Sequence, residues 1–193
     1  MEFQPLNITI GIVQSRDGAW VEAALKSASS QVYPIDYDIQ VFDNRKKKYL
    51  VGKAYNELVK MCKSDWILFL GDDDYIMPDY LVSLTTRYNQ IALDDINKDD
   101  VVGITTYATL FDSVRKIKQL NQKIIQGMWR REYLIDNQFD EKMVNHVDVD
   151  LFERTIEAKK HIYITAWNNG YYYRSHPNQI SGEKFENGEL NEG

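Results

Sequence analysis

Apolar positions along the first half of the chain switch between strand-like runs and helical spacing. Ile8 to Val13 is a β-branched apolar run and predicts a buried strand. From about Trp20 to Gln31, Val21, Ala24, Leu25 and Ala28 fall on one face of a helix. Val32-Tyr33-Pro34 ends it, because a proline drives the residue before it out of helical geometry. Asp38 to Asp43, with Ile39, Val41 and Phe42, predicts a second strand. Lys53 to Lys63 predicts a second helix with Ala54, Leu58 and Met61 facing inward. Trp66-Ile67-Leu68-Phe69-Leu70 is apolar without alternation, the pattern of a strand covered on both faces in the middle of a parallel sheet. Gly71-Asp72-Asp73-Asp74 closes it. Pro78 then suits the first turn of a third helix, with Leu81, Leu84, Tyr88 and Ile91 as its buried stripe. Val101 to Tyr107 is a fourth strand. The order β-α-β-α-β-α-β predicts an α/β fold, a mostly parallel central sheet flanked by helices, with right-handed crossovers.

The second half is less regular. Phe111 to Ile125 reads equally as an extended hairpin or a helix. Gly127 to Asp136 includes a short helix from near Trp129. Val149 to Lys160 is a longer one, with Phe152 and Ile156 inward. Ile162 to Ala166 and Tyr171 to Tyr173 are strand candidates. One domain is expected over residues 1–181, and the polar Gly/Asn/Glu-rich tail 182–193 is expected to be mobile.

Composition narrows the setting. A chain of 193 residues can bury a substantial core without staples. No apolar run is long enough to span a bilayer. Met1 to Pro5 lacks a basic stretch followed by an apolar one, and the single Cys62 excludes an internal disulfide, so a cytoplasmic location is expected. Cys62 lies in an amphipathic pattern and reads as a packed thiol. The net charge of −6 does not favour nucleic acid as a partner. Against that background stands Arg45-Lys46-Lys47-Lys48, which is either a solvated loop or a cluster attracting phosphates of a nucleotide or of an anionic acceptor.

The candidate chemistry starts from the acidic run. Ligands of open α/β sheets bind at the carboxyl ends of strands, where Asp72-Asp73-Asp74 stands. In an extended segment Asp72 and Asp74 would point one way and Asp73 the other. Two carboxylates about 5 Å apart repel by roughly 3 kcal/mol at an effective dielectric of 20. Water, a raised pKa or a bound cation relieves that repulsion, and carboxylate oxygens suit Mg²⁺, Mn²⁺ or Ca²⁺. A solvated turn with an Asp capping the next helix accounts for the triplet equally well.

The stretch Trp66 to Leu81 resembles the centre of family 2 glycosyltransferases of the GT-A fold: an apolar strand, an acidic DxD-type motif, an apolar pair, a proline and a helix. Further stretches follow in the family's order. Ile8 to Val13 with Gln14-Ser15-Arg16, and the helix ending in Ser30-Gln31-Val32-Tyr33-Pro34, resemble its opening. Gly127 to Arg131 and Gln138 to Glu141 resemble the approach to its catalytic acidic motif, where Val147-Asp148-Val149-Asp150 stands. Tyr173-Arg174-Ser175-His176-Pro177 through Ser181 resembles its closing strand and loop. Gly71 stands where the family often has an acid, Val147 where it usually has Glu, and basic residues follow Asp43 where a small polar turn is usual. The chain is short for the family, which implies a minimal acceptor region.

The resemblance implies transfer of a sugar from a nucleotide-sugar donor, a UDP-sugar in the family's usual choice, to an acceptor hydroxyl, with inversion. It implies Mn²⁺ or Mg²⁺ as cofactor. Asp73 is expected as the principal metal ligand, with Asp74 and His176 beside it. Gln14, Ser15, Arg16, Asp43, Asp72 and Arg174 are expected to bind the nucleotide. Arg suits phosphate through paired donors. Asp148 is expected as the base that deprotonates the acceptor, with a helix N-cap as its other reading. Asp150 complements the helix dipole, and His146 and His161 are structural. Tyr171 to Tyr173 read as packing. A catalytically weak or inactive GT-A-like nucleotide-binding module and a nucleotidyltransferase are the competing readings. The scarcity of glycine near the first strand speaks against the latter. A phosphatase would need an Asp-x-Asp-x-Thr pattern that the chain lacks. Acceptor and oligomeric state stay open.

Overall fold

A computed structural model describes residues 3–91, 97–112, 117–119, 127–143, 145–165, 170–176, 185–186 and 189–190. Its first half follows the predicted order: β1 (Ile8–Gln14), α1 (Ala19–Ser29), β2 (Asp38–Asp43), α2 (Val51–Met61), β3 (Trp66–Gly71), a short β4 (Tyr75–Ile76) and α3 (Tyr80–Gln90). Then come β5 (Val101–Thr106), β6 (Ala108–Asp112), β7 (Ile117–Gln119), β8 (Gly127–Arg130), α4 (Arg131–Asp136), α5 (Val147–Glu157), β9 (His161–Thr165) and β10 (Tyr171–Ser175). β11 (Phe185–Glu186) and β12 (Glu189–Leu190) pair antiparallel. The rest of the tail expected to be mobile lies outside the described residues.

Six strands form the central sheet in the order β2-β1-β3-β8-β5-β9. β1 runs parallel to β2 and β3, and β5 parallel to β9. β8 alone is antiparallel to both its neighbours. A second sheet has the order β4-β10-β6-β7. Its β6 and β7 pair antiparallel, which resolves the ambiguous Phe111 to Ile125 stretch as extended where it is described; residues 113–116 and 120–125 lie outside.

β3 is covered on both faces, as its unbroken apolarity predicts. Trp66, Leu68 and Leu70 pack with Ile8, Ile10, Ile12, Ala24, Ala28 and Leu84 on the α1/α3 side. Ile67 and Phe69 alternate to the other side and meet Leu58, Trp129, Phe139 and Leu151. The two-residue period of a strand therefore builds two cores from one segment.

Four expectations need correction. Gly127–Arg130 is a strand, not the start of a helix: Met128 and Trp129 are fully buried between β3 and β5, and α4 begins only at Arg131. α5 begins at Val147 and buries Val147, Leu151 and Thr155, while Ile156 is exposed and Phe152 half-buried. In α2 the inward position at the end is Cys62 rather than Met61, because the chain leaves helical geometry there with ψ 144°. α3 begins at Tyr80, so Pro78 precedes it. Cys62 is a packed thiol as read, and burial pushes its pKa up to about 11. Among the described residues no helix is long and apolar enough to cross a membrane.

Candidate active site

The acidic run does not continue β3 as an extended segment. The Asp74 amide donates to the Gly71 carbonyl at 3.2 Å, closing a turn that sends the three carboxylates in different directions. Gly71 is required there: a Cβ on it would lie 2.5 Å from Asp74 Oδ2 and 3.1 Å from Asp73 Oδ1. The position where the family often carries an acid is thus filled sterically by the acids that follow.

Asp72 turns toward β1. Its Oδ2 accepts from the Ser15 amide at 2.5 Å and the Ser15 hydroxyl at 2.9 Å, and its Oδ1 lies 3.2 Å from Arg16 Nε. Burial raises its pKa, against the pull of Ser15 and Arg16. Asp74 turns the opposite way, toward β10. Its Oδ2 accepts from the Tyr171 hydroxyl at 2.7 Å and its Oδ1 from the Arg174 amide at 2.8 Å. The side chain is 2% exposed, and burial together with the negative charge of Asp73 raises its pKa to about 8. The Tyr171 oxygen also accepts from the Gly71 amide at 3.0 Å, so one phenol ties the end of β3 to the second sheet. Tyr171, read from sequence as packing, has this second role; its one signal was a polar atom on a residue certain to be buried.

Asp73 faces the cleft. Its Oδ2 is 2.8 Å from His176 Nε2 and 3.2 Å from Arg16 Nη1, and its carbonyl accepts from Arg174 Nε at 2.7 Å. His176 is buried, with its ring 4.6 Å from that of Trp20, and the Arg174 guanidinium lies over the same indole at 5.3 Å. Trp20 is a site residue that the helical pattern concealed, since it stands one residue into α1 on its exposed face. Arg16, Asp72, Asp73, Arg174 and His176, expected on separate grounds, are thus brought together.

Asp43 ends β2 beside Gln14, its register partner on β1. Arg45 grips both its oxygens, at 2.9 Å and 2.7 Å, and reaches Asp17 at 2.8 Å. The Arg45 guanidinium holds the Asp43 carboxyl well below the usual carboxylate range. Gln14 Nε2 donates to the Arg16 carbonyl at 2.9 Å. Asp17, in the first loop, and Asp43 are thus joined through Arg45.

Asp148 is the second residue of α5. The N-cap is His146, with no side chain capping the helix. The ring of Tyr55 lies 5.2 Å from that of Phe69. Burial first, then the negative charges of Asp148, Asp72, Asp74 and Asp73, push the Tyr55 pKa up. Asp150 pairs with Arg154 at 2.8 Å, one turn further along α5.

Among the described residues no three side chains of His, Cys, Asp or Glu form a ready-made metal cluster. Asp73 and His176 do supply an adjacent oxygen and nitrogen of the kind Mn²⁺ accepts. Mg²⁺ and Mn²⁺ at phosphate-transfer sites commonly take only one or two protein ligands and complete their shell with phosphate and water. The residues present fit a cation on those terms. Asp74, expected beside Asp73 as a ligand, has both oxygens engaged within the protein.

A mostly parallel sheet with carboxylates at its switch-point strand ends, met by the arginine-bearing loop after β1 and by His176 just past β10, is the GT-A architecture of nucleotide-sugar transferases. The model of the family Glycosyl transferase family 2 matches residues 14–155, and the chain belongs to that family. Three solved structures share the fold. S. aureus TarS has a TM-score of 0.69 at 16% identity over 89% of this chain and 37% of that one. TarS 1-349 in complex with UDP-GlcNAc has 0.67 at 15% over 94% and 62%. TarS 1-349 in complex with UDP has 0.63 at 17% over 89% and 61%. The chain thus spans less than two thirds of the length of each. Among curated protein sequences none matches.

Proposed function

We propose that this protein transfers a sugar from a UDP-sugar to an acceptor hydroxyl, with inversion, at the cleft around Asp73. The observation that carries the reading is the meeting of three separate chain segments there: Ser15-Arg16 after β1, Asp72-Asp73 after β3, and Arg174 to His176 at the end of β10. The UDP and UDP-GlcNAc complexes of TarS support the choice of donor, through a shared fold.

The roles follow from position and chemistry. Asp43 stays ionised beside Arg45 and accepts an N–H from the nucleotide base, with Gln14 alongside. Ser15 and Arg16 bind the diphosphate from the first loop, and Arg174 from the other side. Asp72 anchors that loop through the Ser15 amide and hydroxyl. Asp73 and His176 hold the divalent cation. A cation held there would neutralise charge building on the leaving diphosphate. Asp74 ties the turn to β10 and sets where Arg174 and His176 stand. Asp148 takes the acceptor proton: it stands in the first turn of α5, one residue past the helix start at Val147 and not at the N-cap. The acceptor is a hydroxyl compound that α5 and the second sheet would border.

One observation favours a second reading, a GT-A domain that binds nucleotide without turnover. Val147, where the family usually has Glu, is packed in the core at 3% exposure. A panel of nucleotide sugars with Mn²⁺, followed by thermal shift and by donor hydrolysis, separates the two. Stabilisation by UDP with metal, lost in Asp73→Ala, together with slow hydrolysis of one donor supports the transferase. Stabilisation with no hydrolysis or transfer across a broad acceptor panel supports the binding module. Indifference to every nucleotide rejects both.

A further inference from the structure

Arg16 carries its guanidinium into the acidic end of the cleft. Nε is 3.2 Å from Asp72 Oδ1 and Nη1 is 3.2 Å from Asp73 Oδ2. Nη1 is also 3.0 Å from His176 Nε2, which lies 2.8 Å from that same Asp73 oxygen. One guanidinium nitrogen is therefore almost equidistant from the two atoms best suited to hold a divalent ion. A single imidazole nitrogen cannot both accept from Arg16 and donate to Asp73. Of the three pairwise contacts among these groups, at most two can be hydrogen bonds at once.

Two positive charges do not share such a point. A cation held by Asp73 and His176 has to displace Arg16 from it. Displacement from two carboxylates with nothing gained is unfavourable, so a metal ion alone meets competition. A donor changes that balance, because its diphosphate gives the guanidinium a bidentate partner. The side chain is free to make the exchange: it is 21% exposed and springs from the loop after β1 rather than from a packed element.

We propose that Arg16 is an exchangeable counter-ion, neutralising Asp72 and Asp73 in the donor-free protein and passing to the donor's diphosphate when a divalent cation takes its place at Asp73 and His176. This rests on the reading that those two residues hold the cation and that the cleft binds a nucleoside diphosphate. Metal and nucleotide then bind with positive coupling. By linkage each raises the other's affinity by one common factor, about 10-fold, toward the lower end of the usual range for coupled sites. Donor-free protein keeps its metal site closed without a lid.

The test measures Mn²⁺ binding by the loss of the free-ion paramagnetic resonance signal, with and without UDP, in wild type, Arg16→Gln, Arg16→Lys and Asp73→Asn. Wild type is expected to bind Mn²⁺ weakly alone and about 10-fold more tightly with UDP. Arg16→Gln should bind Mn²⁺ alone at least fivefold more tightly than wild type, and its coupling to UDP should shrink. Arg16→Lys keeps a competing charge and should stay near wild type for Mn²⁺ alone. Coupling below about twofold in wild type overturns the exchange. So does Arg16→Gln binding Mn²⁺ no better than wild type, or Arg16→Lys binding it as tightly as Arg16→Gln. These results leave the metal site itself standing if Asp73→Asn abolishes Mn²⁺ binding. Undiminished Mn²⁺ binding by Asp73→Asn with UDP present instead overturns the underlying reading of the site, and the exchange with it.

Discussion

Replacing Tyr171 by Phe removes one oxygen and no apolar volume, so it isolates the contact that joins the two sheets. The hydroxyl donates to Asp74 at 2.7 Å and accepts from the Gly71 amide at 3.0 Å, and the residue is fully buried. Its loss strands a part-buried N–H and a buried carboxyl oxygen. Each costs about 1–3 kcal/mol, so the variant should be destabilised by about 3 kcal/mol. For a domain of this size that lowers Tm by about 6–12 °C. Thermal and urea unfolding followed by circular dichroism measure it, and the urea slope should stay unchanged because the surface exposed on unfolding is the same. A double-mutant cycle with Asp74→Ala should return a coupling of about 1–2 kcal/mol, since the two side chains share one hydrogen bond. UDP affinity should fall as well, because β10 sets the positions of Arg174 and His176. A Tm within about 1 °C of wild type, or additive effects in the cycle, would refute the view that this phenol holds the site's two halves together.

Three further outcomes are expected. Asp148→Asn should abolish sugar transfer while leaving UDP binding, read by calorimetry, within about twofold of wild type, as removing a positioned base affects the chemical step; collapse of UDP binding would make the residue a donor contact. Asp43→Ala should weaken UDP binding several-fold with little change in Tm, because its ion pair with Arg45 is exposed and exposed pairs add little to stability; unchanged binding would remove Asp43 from the nucleotide site. Cys62 has a folded pKa raised by burial to about 11, so its contribution to stability is full below the ordinary thiol range near 9 and is lost as pH rises through about 11. Urea midpoints for wild type and Cys62→Ala should converge across that window, and iodoacetamide should leave the folded thiol unlabelled at pH 8.

The parts of this protein legible in its sequence are those where one physical demand dominates. β3 must be apolar on both faces because helices cover both, and no polar residue interrupts it. The strands and helices around it inherit their order from parallel connection. Gly127–Arg130 was illegible for the opposite reason. It is only four residues long, and Met128-Trp129 followed by a helix reads as the helix's own beginning; its pairing with β3 and β5 supplies the deciding energy and is not local. The rotation of α5 was hidden by Thr155. A core position held by a threonine breaks the apolar stripe, yet the hydroxyl is satisfied by the Leu151 carbonyl at 2.7 Å and by Tyr133 at 2.8 Å.

The same division runs through the site. That Asp72-Asp73-Asp74 stands at a strand end follows from the strand, and the strand was plain. How the three acids divide their work follows from the turn at Gly71, which an extended reading could not contain. The turn sends Asp72 to the first loop and Asp74 to β10, leaving Asp73 at the cleft beside His176. Sequence position made the three look interchangeable. Burial separates them: two carboxyls are committed to holding segments together, and the one left half-buried is the one with chemistry to spare. An acid at position 71 would collide with that arrangement, so its absence follows from the turn.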